Sequence, residues 1–274
     1  MPQKPFVIIV CILAALLSPT VSFSADPSGP VVIAGHGPER PTIEELARAF
    51  EKVYPAAYVD FVWSKHAKIL QMVRSGEADI AVTGKPEPDL AAHQVAWDGI
   101  AIMVNVANTT KELTKQNIAD IFSGKYKYWS ELAGPDYRIR IIKRHPTQNL
   151  THAFEHYLGI VGKIPESAEV IGPEQKATNR VVGVEPPYSA VTYMSLDPAL
   201  KAVKTGVSVR LLHIDKVEPE VPTVKGGRYT LRRPVLFLTK KTPNATVEAF
   251  IAFTRSRRGQ RIIDRTYSSL DNLN

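Results

Sequence analysis

The chain has 274 residues, 34 Lys and Arg against 27 Asp and Glu for a formal net charge of +7, and a single cysteine, Cys11. With 44% apolar and 22% charged residues it has the make-up of a soluble globular protein, which excludes a disordered chain or a collagen-like fibre. One thiol excludes a zinc ribbon or a disulfide framework, and the length suits one large domain or two of moderate size.

Lys4 precedes an apolar run from Phe6 to Leu17 that breaks at Ser18 and Pro19. This reads as the basic and apolar regions of a secretory signal peptide over residues 1–24, with Ser22 and Ser24 where signal peptidase requires small residues; cleavage after Ala25 is the alternative. The run falls short of the roughly 20 apolar residues that a bilayer-spanning helix needs, so a retained anchor is the weaker reading. Val10 before Cys11 argues against lipidation. Cleavage removes Lys4 and leaves 33 basic against 27 acidic residues, or +6, and no thiol. A thiol-free exported chain depends on its apolar core.

Beyond this segment strands and helices alternate. Val31 to Ala34 is a strand ended by Gly35, His36, Gly37 and Pro38; Thr42 to Tyr54 has helical apolar spacing, with Thr42 and Glu45 placed as a capping box. Tyr58 to Trp63 is a strand, Ala67 to Ser75 a helix stopped by Gly76, and Ala78 to Val82 a strand ended by Thr83 and Gly84. Such alternation predicts a parallel sheet whose ligand sits beyond the strand ends, so Gly35 to Pro38, Ser64 to His66 and Thr83 to Lys85 should share one rim. Ile100 to Val106 is a buried strand, Leu113 to Phe122 a helix, Tyr137 to Lys143 a strand leading into the loop Arg144 to Asn149, and Thr151 to Leu158 a helix. Strands follow at Val191 to Met194, Val207 to Leu212 and Pro234 to Thr239, then one helix from Thr246 to about Arg265. Gly159 to Pro173 and Glu218 to Gly227 read as connections.

Gly35-x-Gly37 after a strand suggests a dinucleotide turn, but Arg40 occupies the third glycine position and Pro38 interrupts it; what survives is a strand-to-helix turn able to bring backbone amides near an anion. His152-x-x-Glu155-His156 has the spacing of a zinc hydrolase motif, for which a helix with two solvated histidines is the preferred reading. No nucleophile elbow or phosphate-binding P-loop is present. The densest basic run, Arg255 to Arg265, lacks interleaved stacking aromatics, which argues against nucleic acid. His36, Lys65, His66, Lys85 and Arg144 fall in loops at strand ends and suit a cleft for an anionic solute.

The run from Leu113 to Lys125, Leu-Thr-Lys-Gln-Asn-Ile-Ala-Asp-Ile-Phe-Ser-Gly-Lys, continuing through Tyr128 and Trp129 to Leu132, resembles the middle of the phosphate-binding proteins of bacterial ABC transporters. Ala96 to Ala101 with Val104 and Asn105 is similar to that family's crossing between lobes. Ser75 to Ile80, Gly227 to Pro234 and Glu248 to Gln260 are similar to further family segments, in the same order. The resemblance implies an α/β, two-lobed periplasmic-binding-protein fold (type II), each lobe a mixed sheet flanked by helices: residues 25–104 the first part of lobe one, 105–204 lobe two, 205–274 the return. It implies a periplasmic, monomeric solute-binding protein, not an enzyme and without cofactor, that captures inorganic phosphate or a similar small anion for an ABC permease. The ligand set carried over is Gly35, His36 and Gly37 of the first loop, Ser64, Thr83, and Arg144, whose planar fork suits an oxyanion. The family's serine-glycine-threonine falls here on Gln148, Asn149 and Leu150, and Thr147 lies beside them. That departure motivates a second reading, a partner-binding or sensory module with an altered cleft.

Overall fold

A computed structural model describes residues 26–63 and 68–270. The expected signal peptide with Cys11, and Ser64, Lys65 and His66 of the second rim loop, lie outside the described residues.

The chain opens with β1 (Gly29–Gly35), α1 (Arg40–Glu51), β2 (Ala57–Trp63), α2 (Ile69–Ser75) and β3 (Ile80–Thr83). Ile43, Leu46, Ala47 and Phe50 of α1 point into the core at helical spacing. The capping box expected on Thr42 does not form: Thr42 is buried within a helix that begins at Arg40, with Pro41 in its first turn. Proline fits there because its missing N–H has no helical partner to lose. Glu39, at the cap position, makes no cap because its carboxylate turns inward to Arg233. Gly76 ends α2 at φ +86°, a conformation that a side chain disfavours.

β4 (Ala91–Asn105) is 15 residues long and begins nine residues before the expected Ile100. Then follow β5 (Glu112–Leu113), α3 (Lys115–Phe122), β6 (Arg140–Lys143), α4 (Asn149–Leu158), β7 (Glu169–Val170), α5 (Glu174–Gly183), β8 (Ala190–Ser195), α6 (Leu196–Lys204), β9 (Val209–Leu211), β10 (His213–Ile214) and α7 (Val221–Lys225). Leu113 belongs to β5, and Thr114 starts α3 through a capping box with Asn117. After β11 (Arg232–Thr239) the expected single C-terminal helix is two, α8 (Ala245–Arg255) and α9 (Arg257–Ile263). Ser256 breaks them: it leaves helical geometry at ψ 164° and its side chain accepts the Gly259 N–H that opens the second.

β1 pairs in parallel with β2 and β3, as alternation required, and the sheet continues through β11, β4, β8, β6 and β7. β4 serves both halves. Its first part, to Gly99, lies antiparallel to β11, and from Ile100 onward it pairs with β8 and β9. Two cores follow. One buries β1, β2, β3 and β11 against α1, α8 and α9, with Phe50 edge-on to Phe250. The other gathers the second half of β4 with α3, α4, α5, β8 and Trp129. The segment expected to return from residue 205 divides: Val209, Leu212, Ile214, Val224, Tyr229 and Leu231 pack on this second core, and β11 onward on the first. No helix among the described residues is long and apolar enough to cross a membrane.

Candidate ligand-binding cleft

β1 delivers its loop to the junction of the two cores. Gly35 passes directly under the indole of Trp63, where a Cβ would collide with the ring, and the indole N–H donates to the Gly37 carbonyl at 3.1 Å. The glycine at 35 is therefore demanded by a close approach. From the opposite side β6 presents Arg144, which is 1% exposed. Its backbone N–H donates to the Tyr193 hydroxyl at 3.4 Å, its Nη1 donates to the Pro173 carbonyl at 3.3 Å, and its Nε has no partner among the described residues. Glu174, the first residue of α5, leaves Oε1 buried without a partner, and so does His36 with Nδ1. All three side chains line one cavity of about 300 Å³ with Trp63, Gln148 and Leu150.

Burial raises the Glu174 carboxyl to about 7 against the pull of Arg144. Burial likewise lowers Arg144, with Glu174 and Tyr193 opposing, and lowers His36, where nearby His152 adds to the effect. Each group is paying for lost water without a full set of protein partners.

The expected ligand residues divide between two cavities. His36, Gly37, Arg144 and Gln148 line the first; His36, Thr83 and Asn149 line a second of about 310 Å³ together with Lys85 and His152. Thr147 lines neither, and its hydroxyl is shared with His145 at 2.9 Å. Thr83 makes 3.3 Å contacts to the backbone of Lys85, whose ammonium pairs with Glu87 at 2.8 Å. Gln148 donates to the Gly172 carbonyl at 3.3 Å.

Asn149, where the resembling family has glycine, is 1% exposed and donates to the Val82 carbonyl of β3 at 2.6 Å. This bond joins α4, packed through Leu150 and Phe154 on the second core, to the first. Gly84 makes the same approach possible, since a Cβ there would lie 2.8 Å from that of Ala153 on α4. Asn149→Ala should cost the closed arrangement about 1–3 kcal/mol by leaving a buried carbonyl unpaired. X-ray scattering should then report a larger radius of gyration; an unchanged profile would refute a closing role.

Behind the cleft lies a buried ion cluster. Arg233 on β11 donates to Glu39 at 2.6 Å and to Asp98 on β4 at 2.8 and 3.0 Å, all three side chains being at most 1% exposed. Ser195, just before α6, donates to Asp98 at 2.8 Å.

Trp63, Glu174, Glu39, Asp98 and Arg233 were not singled out from the sequence. Trp63 ends a strand that was expected, so the rim rule could have named it; Glu174 follows a segment read as a featureless connection, and nothing local marked it. In the His152-x-x-Glu155-His156 motif, Glu155 accepts the Gly162 N–H at 2.9 Å beyond the end of α4, and the His152 ring stands edge-on to His36 at 6.2 Å. Among the described residues no group of three or more His, Cys, Asp or Glu could hold a metal ion.

Comparison with known proteins matches this architecture. Residues 20–258 fit the model of a PBP superfamily domain. The phosphate-binding protein PstS of Bacillus subtilis is 27% identical over 244 residues, covering 86% of this chain and 78% of that protein. Among solved structures, an ABC-type phosphate transport receptor from Vibrio cholerae superposes with a TM-score of 0.76 at 24% identity, over 88% of this chain and 100% of that one. A putative phosphate ABC transporter substrate-binding protein with bound phosphate from Clostridium perfringens gives 0.74 at 23% identity, over 89% and 100%. The strand shared between two cores and the match of residues 20–258 to the family model show that the chain belongs to the PBP superfamily.

Proposed function

We propose that the protein is an exported, periplasmic solute-binding protein that holds a small oxyanion, phosphate or a relative of it, between its lobes and delivers it to an ABC permease. It binds and releases its solute without chemistry. The carrying observation is Arg144, buried, lining a cavity and with its Nε unpartnered among the described residues. A planar guanidinium with free donors is a strong oxyanion ligand in a low-dielectric site. The relatives named for phosphate binding favour the same class of solute.

Isothermal titration with phosphate, sulfate and small carboxylates is the direct test. Micromolar or tighter binding of one of them is expected; a folded protein that binds none refutes capture. The pH dependence has a definite sign. An added negative charge beside Glu174, already raised to about 7, lifts that carboxyl further, so binding of a simple anion takes up protons and weakens as pH rises through 7.

Asn149 favours a second reading. Its amide already joins the lobes through Val82, as a bridging ligand would, which suits a module held closed to present a surface to a partner. Recovery of a signalling protein rather than a permease in periplasmic pull-downs, with no anion bound in titration, would select it.

A further inference from the structure

Arg144 Nε, Glu174 Oε1 and His36 Nδ1 are buried, lack hydrogen-bond partners among the described residues, and belong to side chains lining one cavity. Two of these three side chains are of opposite charge. We propose that the cleft is built for a zwitterion, a small oxyanion that carries an ammonium group, its anionic end on Arg144 and its ammonium on Glu174. The inference rests on the oxyanion reading above and narrows its ligand class.

Charge balance supplies the first argument. Among the described residues of that wall, Arg144 is the one arginine or lysine and Glu174 the one carboxylate. A dianion would set uncompensated negative charge near Glu174, and like charges repel strongly where water is largely excluded. A zwitterion satisfies both poles and adds no net charge. The wider field acts in the same direction. Besides Arg144, Glu174 feels Asp98 and Glu39, which raise its carboxyl, and Arg233, which opposes them, so the buried cluster behind it holds two acids to one base. That excess attracts an ammonium. His36, lowered by burial and by His152, lines the same wall as a neutral ring and leaves the balance unchanged.

Space and surface supply the second. A cavity of about 300 Å³ exceeds the needs of a five-atom tetrahedral ion. The same cavity is also lined by Trp63, Leu150, Pro38 and Pro173. Methylenes linking the ends of a ligand would lie on these apolar surfaces, and an indole face also favours a nearby cation. The raised Glu174 carboxyl agrees with this: it is a buried acid whose Coulombic support from Arg144 is insufficient, and a bound ammonium would supply the rest.

The test uses the full mature chain and three probes: inorganic phosphate, ethylphosphonate, and 2-aminoethylphosphonate, which adds an ammonium to the second. The aminated probe should bind at least tenfold tighter than ethylphosphonate. Near pH 7 it should release protons, read from titrations in buffers of different ionisation heat, whereas phosphate takes them up. Glu174→Gln should bring the two phosphonates within about threefold of one another. Equal affinities in the wild-type protein, or a preference that survives Glu174→Gln, overturns the zwitterion and leaves oxyanion capture standing. Failure of all three probes to bind the folded protein overturns both.

Discussion

Arg233→Ala should cost about 3–5 kcal/mol of folding stability in urea titrations, the usual penalty for stranding buried charge. The side chain is fully buried, and its removal leaves the carboxylates of Glu39 and Asp98 inside the protein with no cation between them. Burial works against the guanidinium's charge, but the two acids outweigh it and hold it ionised. Asp98 is pushed up by burial, with Arg233 as the main opposing influence, so the variant's Asp98 rises further. A carboxyl raised in the folded state keeps protons that the unfolded chain releases, and its destabilising effect therefore grows as pH rises through the carboxylate range. The deficit of Arg233→Ala should be smallest in acid and widen toward pH 7. The triple variant E39Q/D98N/R233M should recover much of the loss, because the penalty lies in unpaired charge more than in a missing attraction. A loss under about 1 kcal/mol at pH 7 would mean that the cluster is hydrated.

The cluster also has a positional consequence. Glu39 belongs to the loop that carries His36 and Gly37, Asp98 and Arg233 lie on the two long strands, and Ser195 ties Asp98 to the start of α6. The rim loop is thereby referenced to the strand that enters both cores. Gly84 fits beneath, where a Cβ would lie 3.0 Å from Arg233 Nη1.

How far the sequence disclosed this depends on whether the determining contact was local. β1, β2 and β3 were legible because short apolar runs punctuated by Gly76 and Gly84 leave few alternatives, and their parallel pairing followed from the intervening helices. The first half of β4, Ala91 to Trp97, was not. Its mostly half-buried residues and polar His93 and Gln94 give neither a buried run nor a clean alternation; it is a strand because β11, more than 130 residues later, lies beside it. Glu39, which holds the cap position of α1, makes no cap for a related reason: its competing partner is Arg233, 194 positions away. In the cleft, Arg144 was visible as the basic residue that ends a strand. Glu174 was not, since its role depends on α5 bringing an acid against Arg144 across a segment without periodicity.

The two buried arginines should respond to substitution in opposite ways. Arg144→Met should weaken anion binding by about 30-fold to several thousand-fold, from the 2–5 kcal/mol typical of removing one member of a buried charge pair at about 1.4 kcal/mol per decade. Its stability should change little. Among the described residues the Arg144 side chain makes one hydrogen bond, of 3.3 Å to Pro173, and its Nε has no partner, while burial disfavours its charge. A methionine of similar length removes that burden, and the Glu174 carboxyl, already near 7, can take a proton in place of its lost counter-charge. Thermal melts at pH 6 without anion should therefore place Arg144→Met within about 1 kcal/mol of the parent, the net worth of an ordinary hydrogen bond. With anion at 100 times the parent's dissociation constant, the parent should gain about 2.7 kcal/mol and the variant at most about 0.9 kcal/mol. A variant that lost stability without anion, yet kept the anion-induced gain, would give Arg144 the structural role assigned to Arg233 and move the binding site elsewhere. The combination expected here, an unfavourable buried charge retained at little stabilising benefit, is the mark of a group kept for its ligand.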